Sequence, residues 1–221
     1  GKGDDRKKLE AETDESGITF SVNDPDGANG FPGNVQASVR YELTEDNRLN
    51  ISYRAVSDKD TVLCLTNHSY FNLRGEGDIR SEQLRIAAES YLPVDEKLIP
   101  TGEIRPVAGT EFDFREMRRV ESIMYDHSFV LDGSGFCAEL YDEDSGIDMK
   151  VYTDMPAVQF YCSGSLTDRT GKNGASYAPG SALCLETQLY PDSPNKPQFP
   201  SAVLKAGRVF ESKTSLSFEI K

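Results

Sequence analysis

Apolar and polar residues alternate along much of this chain. Val35, Ala37, Val39, Tyr41 and Leu43 alternate with Gln36, Ser38, Arg40 and Glu42. After the polar turn Glu45-Asp46-Asn47, residues Leu49, Ile51, Tyr53 and Ala55 alternate with Asn50, Ser52 and Arg54. Period two sends successive side chains to opposite faces of an extended strand, so this pair predicts a β-hairpin with one buried face. Further strands are expected at 18–22, 62–67, 84–88, 149–153, 158–163 and 183–188, and the chain closes with Leu216, Phe218 and Ile220 alternating with Ser217 and Glu219. Asp24-Pro25-Asp26-Gly27, Phe31-Pro32-Gly33, Asp132-Gly133, Ser145-Gly146 and Pro179-Gly180 supply turn chemistry between the runs. The best helical candidate is a short piece near 116–123. Residues 1–16 are charged and glycine-rich without periodicity and are expected to form loop.

Many strands, hairpins and loop-rich joins predict an all-β fold, a large antiparallel β-sandwich. No linker-like tract or repeat divides the 221 residues, and 37% hydrophobic content is enough for one large core, so a single domain over 1–221 is expected.

A net charge of −13 argues against nucleic acid or an anionic membrane as partner, because both require basic patches. It suits a neutral small ligand, and equally a merely soluble surface. Cys64, Cys137, Cys162 and Cys184 have no CxxC spacing, and three lie in apolar, strand-like runs. Free thiols in a cytoplasmic protein are expected rather than a disulfide framework. No leader or long apolar span is visible, so no membrane association is expected, while a secreted or periplasmic location stays open.

Three phrases carry chemistry. His68 lies in Thr66-Asn67-His68-Ser69-Tyr70-Phe71-Asn72-Leu73, following the apolar run Val62-Leu63-Cys64-Leu65. A lone histidine is most often a core side chain bonded to a backbone carbonyl. Imidazole is also the group best suited to deliver a proton near neutral pH, and the neighbouring aromatic pair suits the C–H face of a sugar ring. Glu186 leaves the apolar strand Leu183-Cys184-Leu185 ahead of the proline-framed loop Pro191-Asp192-Ser193-Pro194-Asn195. It is either a surface carboxylate at a strand end or a partly desolvated base. Asp126, in Tyr125-Asp126-His127-Ser128-Phe129, reads as a turn residue or as a double acceptor for adjacent hydroxyls. Gln159, inside Val158-Gln159-Phe160-Tyr161, must find partners if buried, from backbone or ligand. The two histidines lack zinc-site spacing, and no Walker loop, GxGxxG or GxSxG occurs, so neither metal nor cofactor is expected.

These phrases, with Tyr91-Leu92-Pro93-Val94-Asp95-Glu96 and Ile99-Pro100-Thr101-Gly102-Glu103, closely resemble the aldose 1-epimerases, or galactose mutarotases, from about Gly17 to the C-terminus and in the family's order. The resemblance implies a supersandwich of antiparallel strands with an open cleft for a hexose. By motif, His68 looks like the general acid that protonates the ring oxygen and Glu186 like the base that takes the anomeric proton. Asp126 and Gln159 resemble residues that hold sugar hydroxyls, with Phe71 a candidate for the ring face. The family's opening strands, with an Asn-Arg pair and a Leu-His-Gly-Gly motif, have no counterpart here, and residues 1–8 resemble the stretch just after that motif. The expectation is therefore an N-terminally shortened mutarotase acting on a small-molecule aldose, with impaired activity and sheet edges open to a homodimer or an edge-capping partner chain. A non-catalytic carbohydrate-binding sandwich is the competing expectation.

Overall fold

The structure, a computed structural model, describes residues 7–171 and 174–221. Among them the first nine strands are β1 (Glu10–Thr13), β2 (Gly17–Asp24), β3 (Val35–Leu43), β4 (Arg48–Ser57), β5 (Thr61–Val62), β6 (Gln83–Ile86), β7 (Ala88–Leu92), β8 (Arg105–Pro106) and β9 (Arg118–Arg119). The rest are β10 (Asp126–Leu131), β11 (Phe136–Tyr141), β12 (Ile147–Thr153), β13 (Ala157–Cys162), β14 (Arg169–Thr170), β15 (Ser176–Tyr177), β16 (Leu183–Gln188), β17 (Val203–Leu204) and β18 (Val209–Ile220).

They assemble into a nine-stranded sheet, β1-β2-β3-β4-β18-β12-β11-β6-β9, and a five-stranded sheet, β16-β13-β10-β7-β8, with two small two-stranded pairs beside them. Every strand pairing is antiparallel, which leaves each sheet one face for a core and one for solvent or a site. The main core lies between the two large sheets. Leu84, Ile86, Leu140, Met149, Val151 and Leu216 come from the longer sheet, and Phe129, Val158, Phe160, Leu183 and Leu185 from the shorter. Burying one such side chain contributes about 1.5–3 kcal/mol. Hydroxyls join the sheets at one margin: Thr187 of β16 lies 2.6 Å from Thr214 of β18, itself 3.1 Å from Thr153 of β12.

The predicted hairpin is β3–β4, paired from Val35↔Ser57 to Leu43↔Leu49, and Asn47 turns it with φ +59°. Ile51, Tyr53 and Ala55 form its buried face.

Three expectations fail. Residues 116–123 form no helix; Arg118–Arg119 instead pairs as β9 with β6, because both arginines extend beside Gln83 and Leu84. Of the 62–67 run only Val62 is strand, as the end of β5, whose strand partner among the described residues is the short β17. Glu10–Thr13, read as loop, is an edge strand on β2. All four of its residues are exposed, so neither face had to be apolar. The part of that loop reading on residues 1–6 lies outside the described residues. Among the described residues no helix is long and apolar enough to cross a membrane.

Candidate active site

The face of the five-stranded sheet opposite the main core carries the polar phrases. Register decides which residues meet there. Across β10, β13 and β16, Ser128 pairs with Gln159 and Gln159 with Glu186, while Asp126 pairs with Tyr161 and Tyr161 with Cys184. Paired residues share a face, so these six side chains stand together. The alternate positions Phe129, Phe160 and Leu185 go to the core.

His68 reaches this surface too. Phe71 exchanges two backbone hydrogen bonds with Leu183, donating at 2.7 Å and accepting at 2.9 Å. That isolated bridge holds the 66–71 segment beside β16, where the His68 ring reaches Glu186 and the Tyr70 ring lies beside it. Asn67 fixes the approach, accepting from the Ser69 N–H at 3.1 Å and donating through Nδ2 to the Tyr41 hydroxyl at 3.3 Å.

Nε2 of His68 consequently lies 3.3 Å from Oε1 of Glu186, with the imidazole 49% exposed and the carboxylate 11% exposed. The carboxylate is the floor and the imidazole the rim. Burial pushes the Glu186 carboxyl above its ordinary range; the His68 charge opposes this and the Asp126 charge reinforces it. The His68 ring stacks on Tyr70 at 5.1 Å between centroids and meets Tyr161 edge-on at 6.0 Å. Gln159 donates from Nε2 to Oδ1 of Asp126 at 2.7 Å. Past β16, Tyr190 and Phe199 close a second small core with Leu92 and Ala157, anchoring the loop that contains Asp192 and Asn195.

His68, Glu186, Asp126 and Gln159 thus gather on one surface. Phe71 does not share it: the alternation that turns Tyr70 outward turns Phe71 against the main core. The aromatic face beside His68 belongs to Tyr70 and Tyr161, and the period-two spacing of Gln159 and Tyr161 was the available signal for the latter. His127 also stays out. It lies 4.5 Å from the Phe112 ring by centroid, its Nδ1 accepts from the Asp126 N–H, and burial lowers its proton affinity. One candidate ligand cluster for a metal exists among the described residues, His68, Cys184 and Glu186, with donor atoms within 4.8 Å of one another.

The family model described as aldose 1-epimerase matches residues 4–217. The chain belongs to the aldose 1-epimerase family. Among the family's curated members, it is 45% identical over 219 residues to a galactose mutarotase of Mus musculus, covering 93% of this chain and 64% of that protein. It is 41% identical over 219 residues to an aldose 1-epimerase of Escherichia coli K12, covering 91% of this chain and 63% of that protein. The chain therefore spans a little under two thirds of these relatives' length. A crystal structure of an aldose epimerase homologue from C. elegans superposes with a TM-score of 0.92 at 30% identity, covering 97% of this chain and 69% of that one. The epimerase fold is thereby assigned, as the β-sandwich pattern predicted.

Proposed function

We propose that this chain catalyses interconversion of the α and β anomers of a free hexose, galactose or glucose. The observation that carries the reading is the 3.3 Å approach of His68 Nε2 to Glu186 Oε1, one group exposed and the other nearly buried. In a pyranose the anomeric hydroxyl and ring oxygen are bonded to the same carbon, so an acid and a base side by side can serve both. Glu186 takes the O1 proton while protonated His68 gives one to O5. The C1–O5 bond breaks, C1 becomes the aldehyde carbon and the O5 hydroxyl is released. Rotation about C1–C2 presents the other carbonyl face, and reversal of both transfers closes the opposite anomer. Proton transfers suffice, each worth roughly 10²–10⁴-fold in rate. Asp126 and Gln159 hold ring hydroxyls, and Tyr70 or Tyr161 covers a C–H face. The relatives named galactose mutarotase and aldose 1-epimerase support this reading.

Polarimetry on freshly dissolved α-galactose and α-glucose tests it. Catalysed equilibration is expected. Equilibration at the buffer rate, with sugar bound in calorimetry, favours the carbohydrate-binding sandwich instead.

A second copy or capping chain is proposed to meet the molecule at β1, one of the two end strands of the nine-stranded sheet. Its two glutamates make that edge resistant to pairing. Sedimentation of wild type against Glu10→Val/Glu12→Val is expected to show stronger self-association in the variant; no difference would remove β1 from consideration.

A further inference from the structure

We infer that His68, Cys184 and Glu186 form a zinc-binding site, so that the ion and the sugar compete for one surface. Sequence spacing hides this site, because the ligands come from segments more than a hundred positions apart. The sheet brings them together. Cys184 and Glu186 alternate along β16 on one face, and the segment held to β16 by the Phe71↔Leu183 bridge carries His68 to within 3.3 Å of Glu186.

Donor chemistry and geometry agree. Imidazole nitrogen, thiolate sulfur and carboxylate oxygen are the three atom types that zinc accepts, and three protein ligands leave a fourth position open. The three donors lie within 4.8 Å of one another. A tetrahedral ion with bonds of about 2.0–2.3 Å holds its ligand atoms roughly 3.3–3.8 Å apart, so the cluster needs contraction of about an ångström. His68 can supply that movement, being half exposed on a segment outside the strands, while Cys184 and Glu186 stay fixed in β16. The other described cysteines offer no such set: Cys137 and Cys162 are buried in the core, and Cys64 is exposed without histidine or carboxylate donors grouped beside it.

Zinc binding must expel the thiol proton and break the His68–Glu186 contact, which keeps affinity in the micromolar range rather than that of a structural site. Occupied, the ion takes the lone pairs of both the proposed base and the proposed acid. The inhibitory consequence rests on the mutarotase reading, whereas the binding itself does not.

The test uses the whole chain, freed of metal, with ZnCl2 in calorimetry and Co2+ as a spectroscopic probe. One zinc per chain is expected, with a thiolate-to-cobalt charge-transfer band. Cys184→Ala should abolish the band and weaken zinc at least tenfold, and Cys64→Ala should change neither. His68→Asn, a change at a half-exposed side chain, should also weaken zinc at least tenfold and alter the cobalt ligand-field bands. Absence of stoichiometric binding, a band lost only in Cys64→Ala, or zinc affinity unchanged in both Cys184→Ala and His68→Asn overturns the site. If sugar equilibration proves uncatalysed, these binding measurements still decide; if it is catalysed, micromolar zinc should slow it in wild type and much less in Cys184→Ala.

Discussion

Gln159 faces Asp126 through its amide nitrogen, 2.7 Å from Oδ1, and its own Oε1 is buried without a hydrogen-bond partner among the described residues. The orientation is forced, because a carboxylate can only accept and so fixes the NH2 end toward itself. What remains is a lone acceptor on a residue in register with Glu186. A buried orphan acceptor costs about 1–3 kcal/mol. A ligand hydroxyl recovers that cost on binding. Gln159→Leu, which removes both the acceptor and the clamp on Asp126, is expected to raise KM for galactose about tenfold, equivalent to about 1.4 kcal/mol. Steady-state polarimetry checks this, and an unchanged KM would remove Gln159 from the sugar contacts.

Glu186→Gln removes the proposed base while keeping shape and volume at a nearly buried position. Catalysed mutarotation is expected to fall by at least about 10²-fold with the melting transition little changed. His68→Asn should be comparably damaging, since no other described histidine stands on this surface: His127 is packed among Tyr91 and Phe112. A retained rate in Glu186→Gln would mean that another group takes the O1 proton. A retained rate in His68→Asn would reassign the acid.

Much of this was legible from pattern. The β3–β4 hairpin announces itself through strict alternation, and β16 through an apolar run interrupted by one carboxylate. Alternation also held the answer for the aromatic pair: with His68 outward, Tyr70 follows it and Phe71 must turn inward. The sequence gives no side assignment for Phe71, because the apolar run Val62-Leu63-Cys64-Leu65 before it does not alternate. A charged edge strand exposed on both faces, as β1 is, has no pattern to show. Arg118–Arg119 owes its strand conformation to a remote partner, β6, and no local propensity encodes that. The Cys184–His68 proximity is likewise a product of register, invisible until Phe71 is seen bridged to Leu183.

The raised Glu186 carboxyl has a kinetic signature. A base works only when ionised, so the proposed activity is expected above the Glu186 titration point and should be lost as pH falls through it. Burial is the largest cause of the rise from 4.5, with Asp126 adding to it. The acid limb of kcat/KM should therefore inflect above the ordinary glutamate value of 4.5. Asp126→Asn removes one repelling charge and should shift that inflection to lower pH, whatever it does to sugar affinity. An inflection unmoved in Asp126→Asn would mean that another group sets the acid limb.

A second carboxylate governs stability rather than turnover. Glu82 is fully buried; its Oε1 accepts from the Leu73 N–H at 2.6 Å, and its Oε2 has no partner among the described residues. Desolvation pushes it from 4.5 up to about 7, with the Asp142 charge adding to the rise, while the Leu73 and Arg74 N–H groups oppose it. A carboxyl whose folded-state value is raised binds its proton more tightly in the native state than in the unfolded chain. The Glu82 contribution to stability therefore falls as pH climbs from 4.5 to about 7 and levels off above, the full change being about 3 kcal/mol. Glu82→Gln keeps the acceptor for Leu73 and cannot ionise. Urea melts at about pH 5 and about pH 8 are expected to show wild type losing stability at the higher value, with much of that loss absent from the variant. The comparison is of slopes, because the buried amide NH2 carries its own desolvation cost at both values. Parallel slopes in the two proteins would mean that Glu82 titrates where an exposed glutamate does, and that burial at the Leu73 turn leaves its proton affinity untouched.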